Sequence, residues 1–200
     1  KNITTDENFD TFSFSWYNNT DIDPATGLTP YNNMQKVLKV CHDFVDNFDN
    51  TFSNLLFIGQ TGVGKTFLSN CIARALMDSC HSIIYLTAGE FFDSFKSDDF
   101  KEFGSSKFDT SFFVECDLLI IDDLGTEKAS DYNFSNLFNT INERLLRRKS
   151  IIISSNLEMP DIETRYSQRI FSRLVSAYSI LRLFGDDIRC MKKLSPTKRS

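Results

Sequence analysis

Short apolar runs alternate with amphipathic segments along most of this 200-residue chain. Five runs have the length and apolar character of buried strands, and they lie at residues 55–58, 82–86, 118–121, 150–154 and 180–184. Apolar residues at helical spacing predict a helix over 34–48 and further helices over 68–76 and 134–145. Strands that alternate with helices are typical of a parallel sheet covered on both faces, so the pattern predicts an α/β fold.

The first 33 residues lack this alternation and form a polar segment with aromatic residues among them. Its first aromatic residues are Phe9, Phe12, Phe14 and Trp16. Pro and Gly residues interrupt its second half, so we expect an irregular arm whose aromatic rings dock on the body of the protein. We therefore divide the chain into an aromatic-rich arm with a first helix (1–50) and a core (51–200).

The composition is that of a globular protein, because 41% of the residues are hydrophobic and 24% are charged. No apolar run approaches the ~18 residues of a membrane span, and no signal segment opens the sequence. We therefore expect a cytoplasmic protein with no membrane partner. The five cysteines have no C-x-x-C spacing and the two histidines are far apart, which favours reduced thiols over disulfides or a His/Cys metal site.

Charge is distributed unevenly along the chain. Residues 1–60 and 61–140 carry net charges of −5 and −7, whereas residues 141–200 carry +7. A basic end beside an acidic body is typical of proteins that bind nucleic acid or phosphates, or that associate head to tail. An evenly solvated surface is the alternative.

Residues 59–66 match the phosphate-loop pattern G-x-x-x-x-G-K-[ST] at every fixed position. They are Gly59, Gln60, Thr61, Gly62, Val63, Gly64, Lys65 and Thr66. The segment follows a predicted strand and opens a predicted helix, so backbone N–H groups and the helix N-terminus can surround a phosphate. Lys65 can reach the β- and γ-phosphates of a nucleotide, and Thr66 can offer its hydroxyl to Mg²⁺. Phe67, the next residue, is also predicted to contact the nucleotide.

Polar residues end two of the other predicted strands. Asp122 and Asp123 follow the strand at 118–121, where the first acid can hold Mg²⁺ and the second can orient or deprotonate an attacking water. The alternative is a strand that turns at two solvated acids. Asn156 follows the strand at 150–154, where its amide can hold the attacking water or the γ-phosphate, or be a simple turn residue.

Three arginines, Arg165, Arg169 and Arg173, are spaced by four residues, which places them on one face of a helix. A solvated basic face is one interpretation. The other is that one of them reaches the nucleotide of a neighbouring subunit, where an arginine can accelerate hydrolysis about 10³- to 10⁵-fold.

The chain resembles the AAA+ ATPases, and among them the bacterial replicative-helicase loaders of the DnaI/DnaC type, with the IstB-type transposition helpers as close relatives. The resemblance extends over residues 9–190. Beyond the phosphate loop, the matching segments are LLIIDDLGTE (118–127), NTINERLLRRKSIIISS (139–155), RYSQRIFSRL (165–174) and LFGDDIR (183–189).

The resemblance implies a three-layer αβα core with strand order 5-1-4-3-2 and no C-terminal helical lid, since 16 residues follow the last predicted strand. It also assigns roles to residues that match the motifs of the family. Asp122 and Asp123 correspond to the Walker B pair, Asn156 to sensor 1, Arg173 to the arginine finger, Arg169 to a second contact in trans, and Arg189 to a sensor-2-like arginine. The usual Walker B pair is Asp-Glu, so the Asp-Asp pair of this chain predicts slow hydrolysis.

The resemblance implies an ATP-binding and ATP-hydrolysing replication protein that helps to load the replicative helicase onto single-stranded DNA. ATP or ADP with Mg²⁺ would be its cofactors, and head-to-tail oligomers its assembled form. The helicase-binding domain of the loaders has no counterpart in these 200 residues. We expect DNA contacts within 90–113, where Lys96, Lys101 and Lys107 alternate with phenylalanines, although a packed helix pair is the alternative.

Other functions remain open at this stage. An IstB-like helper of a DNA transposase would share the same core. A small-molecule kinase of the phosphate-loop type would need a closing lid, and a GTPase would need an N-K-x-D motif that the sequence does not contain. An adaptor without activity would have a degenerate site, whereas the motifs here are intact.

Overall fold

The computed structural model describes residues 6–99 and 110–194. The predicted DNA-contact residues Lys101 and Lys107 lie outside the described residues, as does the side chain of Lys96. Within the described ranges the helices are α1 (Pro30–Asp46), α2 (Lys65–Asp78), α3 (Ala88–Asp99), α4 (Phe112–Glu115), α5 (Asp131–Leu146), α6 (Met159–Arg165), α7 (Gln168–Ala177) and α8 (Ile188–Leu194). The strands are β1 (Leu55–Ile58), β2 (Ile83–Thr87), β3 (Leu118–Leu124), β4 (Ser150–Ser155) and β5 (Ser179–Arg182).

All five strands pair in parallel, in the order β2-β3-β4-β1-β5. This order is the predicted 5-1-4-3-2 read from the opposite edge, and the αβα fold is confirmed. Strand β1 is predicted to the residue, whereas β3 continues three residues further than predicted and β5 ends at Arg182. Since β1, β3 and β4 lie inside the sheet, their carboxyl ends meet near its centre.

Successive residues of the central strands belong to two different hydrophobic clusters. Leu55 and Phe57 of β1 join the cluster beneath α1 and α2, whereas Leu56 and Ile58 join the cluster beneath α3, α5 and α7. Because side chains alternate across a strand, both faces of the sheet are buried and the molecule has three layers. This explains why the strands are continuous apolar runs in the sequence.

Helix α1 begins four residues before the predicted start. The Thr29 hydroxyl accepts a hydrogen bond from the backbone N–H of Asn32 at 3.2 Å, which caps the helix, and Pro30 occupies the first turn. Both residues favour a helix start, because the cap satisfies a backbone donor and proline needs none. The first turn of α1 is mostly polar and shows little apolar periodicity. A prediction from apolar spacing alone therefore began the helix too late.

The aromatic arm before α1 contacts the body of the protein, as expected. It contains two 3₁₀ turns, at Phe9–Thr11 and Phe14–Trp16. The Phe9 ring lies 4.3 Å from the His42 ring on α1, and the Phe12 ring lies 6.0 Å from the Phe67 ring on α2, measured between centroids. These contacts extend the α1–α2 layer of the core over the amino end of α2.

The prediction that three arginines share one helical face is wrong for Arg165. Arg165 ends α6, whereas Arg169 and Arg173 lie on α7. Tyr166 between the two helices is extended (φ −101°, ψ 163°) and buried, and the Ser167 hydroxyl then caps α7 by accepting from the N–H of Ile170. A buried tyrosine and a new cap break the helix that the spacing had suggested.

None of the described helices has the length and apolar character needed to cross a membrane. The five cysteines are free thiols, of which Cys41, Cys71 and Cys116 are buried. The prediction of unpaired cysteines therefore agrees with the structure.

Candidate functional site

The phosphate loop connects β1 to α2 at the centre of the sheet, and its conformation depends on glycine. Gly62 and Gly64 have φ of 84° and 108°, in the region that favours glycine. A Cβ atom on Gly62 would lie 2.1 Å from the Asp187 carboxylate, and one on Gly64 would lie 2.7 Å from the Tyr17 hydroxyl. Two distant segments therefore approach the loop closely, and a side chain at either position would have to displace Asp187 or Tyr17.

Lys65 is the first residue of α2, and only 5% of it is exposed. Its Nζ donates hydrogen bonds to the backbone oxygens of Gly59 (2.5 Å) and Gln60 (2.7 Å) and to Oδ1 of Asn156 (2.7 Å). Burial lowers the pKa of Lys65 to about 8, although neighbouring carboxylates offset part of this effect. The ammonium group thus joins the loop to the end of β4 and brings together two residues that the sequence predicted separately.

Asp122 is fully buried at the end of β3 and lies beside the start of α2. The Thr66 hydroxyl is 3.2 and 3.1 Å from its two carboxylate oxygens, Ser154 Oγ donates to Oδ1 at 2.5 Å, and the Tyr85 hydroxyl donates to Oδ2 at 3.1 Å. Burial, reinforced by the Asp122 charge, raises the pKa of Tyr85, so its hydroxyl stays a neutral donor. The structure therefore places Thr66 and Asp122 together, as the sequence predicted.

This oxygen pair fits Mg²⁺, because hydroxyl and carboxylate oxygens are its usual protein ligands. In the described ranges no group of three or more His, Cys, Asp and Glu residues could hold a metal by itself. Mg²⁺ commonly keeps several waters and is completed by substrate phosphates. A site of one carboxylate and one hydroxyl next to a phosphate loop suits a metal that arrives with a nucleotide.

Asp123 adopts a left-handed conformation, with φ of 59°. Its N–H donates to Ser154 Oγ at 2.9 Å, and its carbonyl oxygen accepts from Thr126 Oγ1 at 2.8 Å. The register of the β3–β4 pairing shifts between Ile121 and Leu124. Such an irregularity re-aims a side chain, and Asp123 accordingly lines the cavity above the phosphate loop.

A cavity of about 450 Å³ lies over the loop. The predicted residues that line it are Thr61, Gly62, Gly64, Lys65, Thr66, Phe67, Asp123, Asn156 and Arg189. The arm closes the other side with Phe12, Trp16 and Tyr17, whose role the sequence did not predict beyond docking. The Tyr17 hydroxyl donates to the Val63 carbonyl oxygen at 3.3 Å, so the arm is bonded directly to the loop.

Helix α8 reaches the cavity through a contact with the loop. The Ile188 N–H donates to the Gly62 carbonyl oxygen at 3.1 Å, while the Asp187 carboxylate accepts from the N–H of Arg189 at 2.8 Å. This cap places Arg189 and Lys192 at the cavity rim, and the Lys192 ammonium lies 5.6 Å from the Trp16 ring centroid. A tryptophan face attracts a cation at this distance, which connects α8 to the arm.

Arg173 and Arg169 lie away from this cavity. Both side chains are exposed on α7, while Ile170 and Leu174 on the opposite face are buried. Arg173 Nη2 donates to Asn142 Oδ1 of α5 at 3.2 Å. The two arginines therefore lie on the surface of the chain, where another molecule could contact them.

One buried acid near the site was not predicted. Glu127, four residues after Asp123, accepts hydrogen bonds from Tyr166 and Gly125 and is paired with Arg165. Glu127 is the last residue of the LLIIDDLGTE segment (118–127) that carries the family resemblance, but the resemblance assigned no role to it.

The sheet order, the phosphate loop and the acid and amide at neighbouring strand ends define a nucleotide-binding protein of the phosphate-loop class with an AAA+ core. Comparison with known sequences identifies the family within this class. Residues 29–195 match the family described as IstB-like ATP binding protein, and the chain belongs to that family.

Individual relatives include replication proteins. The replicative helicase loader DnaC of Escherichia coli K12 is 23% identical over 151 residues, which cover 75% of this chain and 61% of the relative. The phage-like element PBSX protein XkdC of Bacillus subtilis is 32% identical over 111 residues, covering 52% of this chain and 40% of the relative. The chain thus spans about three fifths of the length of the DnaC relatives that it matches.

Solved structures give the same fold. A crystal structure of the DnaC helicase loader superposes with a TM-score of 0.70 at 21% identity, covering 90% of this chain and 98% of that one. AMPPCP-bound DnaA from Aquifex aeolicus superposes with a TM-score of 0.71 at 17% identity, covering 96% and 55%. The predicted resemblance to AAA+ loaders and IstB-type ATPases is therefore confirmed at the level of family and fold.

Proposed function

We propose that this chain is the ATPase part of a DNA replication protein that helps to load a replicative helicase onto single-stranded DNA. The observation that carries the ATPase part of the proposal is the contact of Lys65 with Asn156 beside the Thr66–Asp122 pair. Three separate chain segments converge there into an arrangement that suits a nucleotide phosphate and its metal. Membership of an ATP-binding family and the similarity to DnaC support the same function.

In this proposal the loop and Lys65 bind the phosphates, while Thr66 and Asp122 hold Mg²⁺. The metal would supply charge neutralisation at the phosphate oxygens. Asp123 and Asn156 line the same cavity, so Asp123 would orient the attacking water and accept its proton while Asn156 fixes its position. Because aspartate is shorter than the usual glutamate, we expect slow turnover.

The arm and α8 would hold the rest of the nucleotide. Phe12, Trp16 and Tyr17 offer aromatic surface to a base, and Arg189 stands at the rim where it can reach a phosphate. The boundary between an arm unit (1–50) and an ATPase core (51–200) remains a proposal, since the arm itself lines the cavity.

Arg173 would complete the site of a neighbouring subunit, with Arg169 as a second contact. Both are exposed on α7 and remote from the cavity of their own chain. A subunit that offers a nucleotide on one face and arginines on another would assemble head to tail, into a ring if the rotation closes and into an open spiral if it does not. Such a spiral could follow single-stranded DNA, as single-strand-binding grooves do.

The test is the rate of ATP hydrolysis per subunit as a function of protein concentration, with and without single-stranded DNA. The proposal expects a specific rate that rises with concentration, because each site needs a neighbour. A flat and measurable rate would contradict it, since a self-contained site does not depend on assembly.

Lys65→Ala tests the nucleotide site independently of assembly. ATP affinity should fall about 100-fold, because a charge-assisted contact with phosphate is lost. Lys149→Ala is the matched control: Lys149 pairs with Asp117 at 2.8 Å, away from the cavity, and its loss should leave ATP affinity unchanged. Equal affinities of wild type and Lys65→Ala would disprove the phosphate-loop assignment.

A transposase helper is the second candidate, because the matching family is the IstB-like one. The two candidates share the ATPase and differ in the protein that stimulates it. Stimulation of hydrolysis by a replicative helicase from the same source supports loading. Stimulation by a transposase alone supports the second candidate.

A further inference from the structure

The Glu127 carboxylate lies in a closed polar network between β3 and α7. Its side chain is 2% exposed. Oε1 accepts from the Tyr166 hydroxyl at 2.6 Å and lies 3.4 Å from Nε of Arg165, while Oε2 accepts from the N–H of Gly125 at 2.7 Å. A buried carboxylate is costly unless it is paired and hydrogen-bonded, and Glu127 uses both oxygens in this way. These contacts fix the side chain in one place.

One end of the network is the turn that aims Asp123 into the nucleotide cavity. Asp123 and Gly125 both have positive φ, and the Asp123 carbonyl oxygen accepts from Thr126 Oγ1. The bond from the Gly125 N–H to Glu127 closes this turn from its other side. The conformation of Asp123 therefore depends on a turn that Glu127 holds.

The other end of the network is the junction between α6 and α7. Tyr166 is 3% exposed and its ring packs edge-on against Phe134, with centroids 5.2 Å apart. Arg165 also donates to the backbone oxygen of Glu127. Because the α7 cap Ser167 directly follows Tyr166, the position of Tyr166 determines where α7 starts, and with it where Arg169 and Arg173 point.

We propose that Glu127 is a positioning residue that connects the turn bearing Asp123 to the start of α7. Through this connection one carboxylate orients Asp123, which activates the water in the subunit's own site. The same carboxylate orients Arg169 and Arg173, which the subunit presents to its neighbour. The inference rests on the roles that the proposed function gives Asp123 and Arg173. Nothing in it requires Glu127 to touch the nucleotide. Its loss should therefore change turnover while ATP affinity stays within about twofold of wild type.

Amide hydrogen exchange tests the structural link without any activity. Glu127→Gln and Tyr166→Phe should each speed exchange at two separated places, the Gly125 N–H and the first amides of α7 such as Ile170. Tyr178→Phe is the matched control. Tyr178 is a buried tyrosine just after α7, and among the described residues its hydroxyl has no hydrogen-bond partner. It should leave both places unchanged.

Two results of this exchange experiment would overturn the link. One is faster exchange at Gly125 with unchanged protection at the start of α7 in both variants. The other is an equal effect of Tyr178→Phe. If Glu127→Gln does not fold, Tyr166→Phe alone decides, because it removes only one hydroxyl and keeps the ring in place.

Mixing experiments test whether both faces of a subunit depend on Glu127. Arg173→Ala keeps an intact nucleotide site but offers no arginine, and Asp122→Asn offers the arginine but lacks the metal ligand. Their mixture should recover hydrolysis and is the reference. Glu127→Gln mixed with Arg173→Ala tests the arginine face, and Glu127→Gln mixed with Asp122→Asn tests the nucleotide face.

Both mixtures with Glu127→Gln should recover about 10- to 100-fold less activity than the reference, because small misplacements of catalytic groups have effects of that size. Full recovery in either mixture would overturn the claim that one carboxylate serves both faces. A reference mixture without activity would instead disprove the trans role of Arg173, which belongs to the proposed function. In that case the exchange experiment still decides whether the turn and α7 are linked.

Discussion

The two groups of proposed catalytic residues differ in how the fold holds them. Lys65 and Asp122 are buried, and each has at least three polar contacts within the chain. Arg169 and Arg173 are exposed on α7. The first group is assembled by folding alone, whereas the second lies on the surface, where the proposed contact in trans would need it. Substitutions in the first group should therefore affect one isolated subunit, and those in the second only an assembly.

Among substitutions in the internal group, replacement of Asp122 should cause the largest loss of hydrolysis. In Asp122→Ala the hydroxyls of Thr66, Ser154 and Tyr85 lose their acceptor, and the proposed Mg²⁺ would lose its carboxylate ligand. Hydrolysis should fall by about 10³-fold or more, because the metal contributes several kcal/mol to the stabilisation of the transition state. The free energy of unfolding should fall by about 1–3 kcal/mol, since buried donors are left without a partner.

The isosteric Asp122→Asn separates these two effects. It should lose hydrolysis while it keeps most of the stability, because the amide oxygen can still accept hydrogen bonds. Steady-state hydrolysis and thermal unfolding measure both quantities. Retained Mg²⁺-dependent hydrolysis in Asp122→Asn would contradict the assignment of the metal site.

Replacement of Arg173 should affect only the assembled protein. Arg173→Ala removes one exposed contact, to Asn142, so ATP affinity and unfolding temperature should stay close to those of wild type. Concentration-dependent hydrolysis should fall by about 10³-fold, the lower limit for an arginine supplied in trans. Asn142→Ala is the control, because it removes the same hydrogen bond and keeps the guanidinium. An equal loss in both variants would show that the bond within the chain matters and that the contact in trans does not.

Local patterns are enough to single out the residues of the internal group, which the structure brings together. The phosphate loop and the polar strand ends are each contained in a few consecutive residues, and parallel strands bring their carboxyl ends to one edge. The sheet order could be predicted only from the family resemblance. The contact of Lys65 with Asn156 became visible only in the structure, because it joins residues about 90 positions apart.

Features that depend on tertiary contacts could not be predicted in this way. The position of Trp16 over the cavity depends on docking of the arm, and the break at Tyr166 depends on its burial against Phe134. Arg144 lies in a basic segment that reads as solvated, yet it is fully buried and donates to four backbone carbonyl oxygens. Such a residue cannot be distinguished from its exposed neighbours by composition.

The arm belongs to neither group. The variant Trp16→Ala tests whether the arm contacts the nucleotide base or only supports the phosphate loop. If the ring holds the base, ATP affinity of a single subunit should weaken about tenfold, which is within the range for base stacking on an aromatic side chain. Binding of inorganic tripolyphosphate should not change. Phe9→Ala is the control from the same arm, since the Phe9 ring packs against His42, 4.3 Å away between centroids, and does not line the cavity. Weaker tripolyphosphate binding in Trp16→Ala would mean that the arm supports the loop and does not hold the base.

The pH dependence of ATP binding develops gradually above pH 8 and concerns Lys65 alone. Burial lowers the pKa of Lys65 to about 8 from an ordinary value of 10.5. The phosphates of ATP favour the charged ammonium, so affinity should be constant below pH 8 and weaken above it, by up to about tenfold per pH unit. Lys65→Arg should show a flat profile from pH 7 to 9, because its guanidinium stays charged.

Stability should move in the opposite direction over the same range. Between pH 8 and 10.5 the unfolded chain binds a proton at Lys65 that the folded chain has released, so this residue contributes stability that rises with pH. The difference in unfolding free energy between wild type and Lys65→Met should therefore increase in favour of wild type across this window. If ATP affinity and this difference are both constant up to pH 9.5, the Lys65 ammonium is not desolvated, and the internal group is more open to solvent than its contacts indicate.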